Sequence, residues 1–295
     1  MPDVSAGLSL MMSEDFRVAA GPLFDESLVD IVEWSFDMGW NRPIPLWLQV
    51  ILDEYSANDR LLGHGVSYSA LDASQTDRQT IWLQQLRREV ANFHYTHISE
   101  HFGFMGGGNF HIAAPLPVPR SAAALAVGRE RLADLAAVAG VPVGLENLAF
   151  AFHLEDVRQQ GPFLDELLEP VDGFLLLDLH NLYCQSCNFG VPLMNLVDLY
   201  PLDRVRELHI SGGSWSEHPC GSGNQVRRDT HDGPVPQEIF EVLPEVLKKC
   251  PHVIAVIMER MERTIDIDDS RDVDLFREDF RRLKMIVTTD HGQLK

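Results

Sequence analysis

Cysteine is scarce in this chain, with four in 295 residues. That number cannot build a disulfide framework. Positive charge is also scarce. Lys and Arg number 24 against 44 Asp and Glu, a formal net charge of −20. A nucleic-acid backbone needs a basic surface, so this balance argues against DNA or RNA as a partner. It suits small ligands, metal cations, or a basic peptide or protein. No apolar run approaches the length of a membrane span. The opening Met1-Pro2-Asp3-Val4-Ser5 has neither the basic nor the apolar part of a secretion signal. A reducing cytoplasm is therefore the expected compartment. No Ser/Gly linker, short repeat or low-complexity stretch divides the chain. One large domain over residues 1–287 is expected, followed by a loose tail over 288–295.

What is present is a recurrence of short apolar runs. Strands are predicted near residues 5–10, 28–34, 60–66, 95–100, 141–146, 173–178, 205–210 and 253–259. Phe174-Leu175-Leu176-Leu177 and Val253-Ile254-Ala255-Val256-Ile257 are continuously apolar, as strands buried on both faces should be. Helices are predicted between them. Residues 74–93 place Ile81, Leu83, Leu86 and Val90 on a helical period. Residues 121–139 start at a Ser121 cap and end at Gly140. Further helices cover 156–169, 236–250 and 272–287. Eight strands alternating with helices match a single (β/α)8 TIM barrel, whose usual size is ~250 residues. The rival, a doubly wound sheet, would show a glycine-rich turn after its first strand. Gly7-Leu8-Ser9-Leu10 is no such turn. Residues 102–120, which include Gly106-Gly107-Gly108 and His111, and residues 211–235 read as long loops of the kind that form sites and lids.

Metal-type side chains sit at or just past the ends of those runs. They are His64, Glu100, His101, Glu146, Asp178, His180, His209 and Glu259, with Asp229 and His231 in the long loop before the last strand. A single histidine at a strand end is more often structural. Recurrence at one strand end after another is a different matter, because barrel strands converge on one mouth. Mixed carboxylate and imidazole donors suit iron, manganese or zinc, and not the oxygen-only set of calcium or magnesium. At roughly three protein ligands per ion, the set is large enough for two or three ions. Glu146, central in strand order and carrying two oxygens, is the natural bridge. Ser99 and Asn147 are read as supports for these ligands. His94, His97, His111, His153, His218, His252 and His291 lack the context and read as structural or surface residues. Cys184-x-x-Cys187 reads as two ordinary cysteines, with a redox pair or substrate contact as the sharper alternative. Asp266 to Asp269 reads as a solvated acidic loop.

Several motifs together carry a resemblance. They are His64-Gly65-Val66-Ser67, Ser99-Glu100-His101, Leu145-Glu146-Asn147, Leu177-Asp178-Leu179-His180-Asn181, Glu207-Leu208-His209 and Asp229-Thr230-His231-Asp232-Gly233-Pro234-Val235. In this order, over about residues 60 to 260, the chain resembles the multinuclear non-haem iron-dependent oxidative enzymes, whose best-known type is the methanobactin-biosynthesis oxidase. The resemblance implies a xylose-isomerase-like TIM barrel. It implies two or three irons of mixed Fe(II)/Fe(III) state, with dioxygen as co-substrate. It also implies a ribosomally made precursor peptide as substrate, often modified at cysteine, and a separate partner protein that captures the peptide leader. Carried across, His64, His101 and Glu146 are ligands of one iron, and Glu146, Asp178, His209 and Glu259 of a second. Asp229 and His231, with Asn181 or His180, are ligands of a third. Glu146, Asp178 and His209 stand at the reacting centre. The first-strand segment Gly7-Leu8-Ser9-Leu10-Met11-Met12 departs from the family's opening, so no substrate contact carries over there.

Three other readings fit the same residues. A manganese or cobalt sugar isomerase or epimerase would use two of the carboxylates for proton transfer. A zinc phosphoesterase of the abasic-site endonuclease kind would use a similar ligand set, against the charge argument. A non-catalytic metal-binding maturation partner would keep the ligands without the chemistry.

Overall fold

The computed structural model describes residues 4–74, 76–107, 110–217, 223 and 225–289, with only the backbone at 107 and 110–113. Its strands are β1 (Ser5–Leu10), β2 (Ile31–Trp34), β3 (Leu61–Gly65), β4 (Ile98–His101), β5 (Phe104–Gly107) and β6 (Phe110–Leu116). They continue with β7 (Val143–Glu146), β8 (Phe174–Asp178), β9 (Val205–Ile210), β10 (Trp215–Glu217), β11 (Gln225–Arg227) and β12 (Ala255–Met258). The helices are α1 (Glu14–Asp25), α2 (Phe36–Gly39), α3 (Leu46–Ala57), α4 (Asp77–Asn92) and α5 (Ala122–Ala139). They continue with α6 (Leu154–Leu168), α7 (Leu179–Phe189), α8 (Leu193–Val197), α9 (Gln237–Lys249) and α10 (Ser270–Thr289).

Eight parallel strands close into a barrel in the order β1, β2, β3, β4, β7, β8, β9, β12, with β12 returning to β1. Every pair is parallel, and helices fill the crossovers. This is the (β/α)8 architecture expected from the alternation. None of the described helices is long and apolar enough to cross a membrane.

The side-chain period of two decides what lies where. One set of strand residues, including Leu8, Val32, Leu61, Ile98, Leu145, Leu175, Leu177, Leu208 and Val256, packs outward into one large core with helix residues such as Phe16, Leu52, Leu86, Leu132, Leu164 and Phe280. The other set points into the barrel. There, Ile31, Leu62, Ala255 and Ile257 form a small separate apolar cluster. Two residues further along their strands stand Glu33, His64 and Glu259 on that same inner face. The metal-type side chains of the C-terminal mouth therefore stand one inward-facing position above this cluster.

Local signals explain the helix ends. The Ser121 side chain accepts the Ala124 N–H at 3.2 Å, and Gly140, at φ 67°, closes α5. Thr76 and Gln79 form a capping box at α4. Helices α1, α2, α3, α7 and α8 were not predicted. The two loops also hold hairpins, β5 with β6 and β10 with β11. Three-residue strands and a triple glycine give too little alternation to read. The loose tail was expected over 288–295. Thr288 and Thr289 continue α10, and residues 290–295 lie outside the described residues, as do Cys220, His218 and His291.

Helix α6 depends on a bare backbone contact. A Cβ built on Gly161 would lie 2.1 Å from the Leu199 carbonyl oxygen. Gly161→Ala should therefore cost about 2–3 kcal/mol, or more if Leu199 cannot move. Gly21→Ala in α1 meets nothing within 4 Å and should stabilise by about 0.5–1 kcal/mol. Thermal melts of the two variants should shift in opposite directions; equal shifts would contradict this packing.

Candidate metal centre

Every barrel strand but β1 places a metal-type side chain near the C-terminal mouth. β3 supplies His64, β4 His101, β7 Glu146, β8 Asp178 and β9 His209. Glu33 comes from β2, and Glu259 directly follows β12. The loop between β11 and α9 adds Asp229 and His231. His231 holds a left-handed φ of 51°, unusual for a residue with a Cβ. Its carbonyl accepts the Met261 N–H at 2.8 Å, which ties this loop to the end of β12.

The candidate ligand atoms form interlocking triads, each with its three atoms within 4.8 Å of one another. His64, His101 and Glu146 make one, and Glu146, Asp178 and His209 the next. Asp178, His231 and Glu259 make a third, and His180, Asp229 and His231 a fourth. Glu146 is shared by the first two, with its Oε2 3.5 Å from His64 Nε2 and 3.2 Å from His101 Nε2. His209 Nδ1 lies 3.2 Å from Glu259 Oε2.

A layer behind these groups aims them. The Asp178 Oδ1 atom accepts the Asn181 N–H at 2.8 Å, so Asp178 caps α7 with one oxygen. Its Oδ2 is buried without a hydrogen-bond partner. Asn147 clamps the Asp178 backbone: its Oδ1 accepts the Asp178 N–H at 2.7 Å, and its Nδ2 donates to the Asp178 carbonyl at 3.2 Å. Ser99 Oγ meets His64 Nδ1 at 2.8 Å and donates to the Gly63 carbonyl at 3.3 Å. With that hydrogen committed, His64 Nδ1 carries the proton and Nε2 faces Glu146 with its lone pair. Both supports expected from sequence, Ser99 and Asn147, therefore touch the site.

His180 and Asn181 are placed differently. Asn181 Nδ2 donates to Glu146 Oε1 at 2.9 Å and to the Asn147 carbonyl at 2.8 Å. Its Oδ1 is buried without a partner. His180 Nδ1 meets Asp229 Oδ1 at 2.9 Å, while Nε2 faces the Arg227 guanidinium at 3.3 Å and Cys184 Sγ at 3.9 Å. Arg227 can only donate, so His180 Nε2 accepts and Nδ1–H points to Asp229. Cys184 and Cys187 are free thiols, and burial pushes both up in pKa.

Sequence reasoning missed three lumen residues. Glu33 is fully buried, and its Oε2 holds His209 Nε2 at 3.0 Å. Glu207 is fully buried on His97 Nε2 at 2.8 Å, and its Oε1 lies 3.6 Å from His209 Nε2. His97 is thus a structural histidine, as read, but one at the centre of the barrel. Glu33 ends the apolar run Ile31-Val32-Glu33, the same signal that marked its neighbours. Glu100, by contrast, points to the outer face, where a Cβ on Gly65 would meet its Oε2.

Burial dominates the electrostatics. It drives His64 well below the usual imidazole range and His101 down to about 4, leaving both neutral. It raises Glu146 strongly and Asp178 to about 7, with neighbouring carboxylates adding to both. Burial alone would lower His209 and His231, but Glu259 with Glu33, and Asp229 with Glu259, outweigh it and raise both. Burial would raise Asp229, but His231 and His180 hold it low. A cluster of this composition must take up positive charge, as protons or as metal ions.

Folded Asp178 has a raised pKa, so its share of stability is present in acid, below the unfolded value near ~4. That share is lost as pH rises through about 7. In chelator, Asp178→Asn should therefore melt higher than wild type at about pH 8. The gap should close by about pH 5. A variant that melts lower across this range would show that the carboxylate is not strained.

The chain is similar to known proteins in two ways. The family model for the RiPP precursor modification enzyme MbnB/TglH/ChrH matches residues 47–272, and the chain belongs to that family. Among relatives, a UPF0276 protein of Caulobacter vibrioides is 27% identical over 249 residues, covering 84% of this chain and 83% of that protein. Another, from Acaryochloris marina, is 26% identical over 225 residues, covering 71% and 78%. Among solved structures, an L-ribulose 3-epimerase superposes with a TM-score of 0.57 at 14% identity, covering 98% of this chain and 96% of that one. A xylose isomerase-like TIM barrel protein from Mycobacterium smegmatis, in complex with magnesium, gives 0.53 at 12% identity, covering 98% of each. At such identities the structures show the fold alone, which is the xylose-isomerase-like TIM barrel.

Proposed function

We propose that this chain is an iron- and dioxygen-dependent oxidase that modifies a ribosomally made precursor peptide at a cysteine. The observation that supports the reading is the run of triads joined at Glu146, in a chain whose family modifies such precursors. The donors fit iron. They mix imidazole and carboxylate, and Asp178 Oδ2 and Asn181 Oδ1 are buried oxygens with no hydrogen-bond donor.

His64, His101 and Glu146 would hold one ion, and Glu146, Asp178, His209 and Glu259 a second. Asp229 and His231 would hold a third. For that ion Asn181 is the better further ligand, because both ring nitrogens of His180 are engaged. His180 then orients Asp229. Bound iron supplies the one-electron chemistry by which dioxygen oxidises the peptide. The chain's own residues position the ligands. Ser99 and Glu33 turn His64 and His209, and Asn147 fixes Asp178. The net charge of −20 suits a basic precursor, or a partner protein that delivers the precursor by its leader.

The test is protein purified without oxygen and loaded with ferrous iron. Roughly two or three irons per chain should bind. In air, a precursor peptide encoded beside the gene should change mass. Glu146→Gln should lose iron and abolish turnover, while Glu33→Gln should lower metal affinity about 10–100-fold. Trace iron with no mass change would overturn the proposal. Turnover of a ketose without oxygen would replace it with the epimerase reading.

A further inference from the structure

Five of the chain's nine methionines line one cavity. It measures about 390 Å³ and opens onto the metal-type residues, with His64, His101, His231 and Glu259 in its floor. Met11 and Met12 follow β1, Met38 lies in α2, Met105 in β5, and Met261 beyond β12. Four separate segments that follow barrel strands thus bring the same side chain to one place, together with Trp34.

The cavity is graded in burial. Met105 is 1% exposed, and its N–H is held by Ser69 Oγ at 2.8 Å and Asp72 Oδ1 at 3.1 Å. Met38 and Met261, at the rim, are 53% and 45% exposed. The charged rim pair cancels itself. Arg42 Nη1 and Nη2 donate to the two carboxylate oxygens of Glu262 at 2.9 and 3.1 Å. Ser67 spends its hydroxyl on Asp37 at 2.6 Å. Among the described lining residues above the floor, the Ser35 hydroxyl is left to meet a polyol, each of whose hydroxyls would need a partner, against five thioethers and Trp34. Thioethers instead favour large apolar groups, adapt to their shape, and make favourable sulfur contacts to aromatic rings.

We propose that this methionine-lined cavity is a specificity pocket for an aromatic side chain next to the residue that is presented to the metal centre. The inference rests on the peptide-modification reading and names part of its substrate. A buried inner methionine sets the depth, and the exposed rim closes on the ring.

Anaerobic calorimetry on the iron-loaded protein tests this. The probes are acetyl-Gly-Cys-Phe-Gly-amide and its Phe-Cys isomer, each compared with its Phe→Ala counterpart, and D-fructose. One Phe peptide should bind about tenfold tighter than its Ala counterpart. Met38→Glu with Met261→Glu should erase that preference, as should the milder pair Met38→Gln with Met261→Gln. Met285→Glu, on a distant face of α10, should leave it intact. Equal binding of Phe and Ala peptides, no peptide binding, or tighter binding of D-fructose would each overturn the pocket. Precursor turnover without a Phe preference would sink the pocket and spare the oxidase. A Phe preference without any oxidation would do the reverse.

Discussion

Burial of negative charge inside a closed barrel is the constraint on which the rest of this structure depends. Glu33, Glu146, Asp178, Glu207 and Glu259 all lie in or at the mouth of the lumen, each under 10% exposed. Carboxylates so placed repel one another at low effective dielectric. Hydrogen bonds answer part of the problem: Glu207 is held down at about 2, because His97 and His209 outweigh the burial that would raise it. They do not answer all of it. Oxygens on Glu33 and Asp178 keep no donor. An arrangement of this kind must take up positive charge at the mouth, as protons or as metal ions.

The supporting layer uses backbone architecture twice over. Asp178 is both the last residue of β8 and the cap of α7. The helix N-terminus takes one oxygen, which fixes the direction of the other. Asn147 and Asn181 then lock neighbouring strand ends together through Glu146 and the Asp178 backbone. Such side chains are costly to bury and give precision in return, because few rotamers satisfy all their partners.

Much of the candidate site was legible because strand ends in a barrel share one mouth. A carboxylate or imidazole closing an apolar run is visible without coordinates, as at His64, Glu146, Asp178, His209 and Glu259. Glu33 carried the same signal on a four-residue strand and was passed over. Glu207 and His97 were not legible as lumen residues. Their burial depends on which face of β9 and β4 turns inward, and on a contact between residues 110 apart. The assignment of His180 needed Arg227, whose position comes from a hairpin too short to show a period. Glu100 shows the opposite case: it has the right residue type at the right strand end, and it faces outward.

The order of apolar runs and helical periods, by itself, determined the barrel and most of the strand ends that carry candidate ligands, because burial on both faces and a period of two are local properties of the chain. Tertiary structure alone decided which of those groups share atoms' distance from Glu146, which oxygens are left without donors, and how five methionines from four segments meet over them. Those outcomes depend on inter-strand register, on the inward or outward turn of each strand, and on loop closure across the mouth, none of which a linear pattern contains.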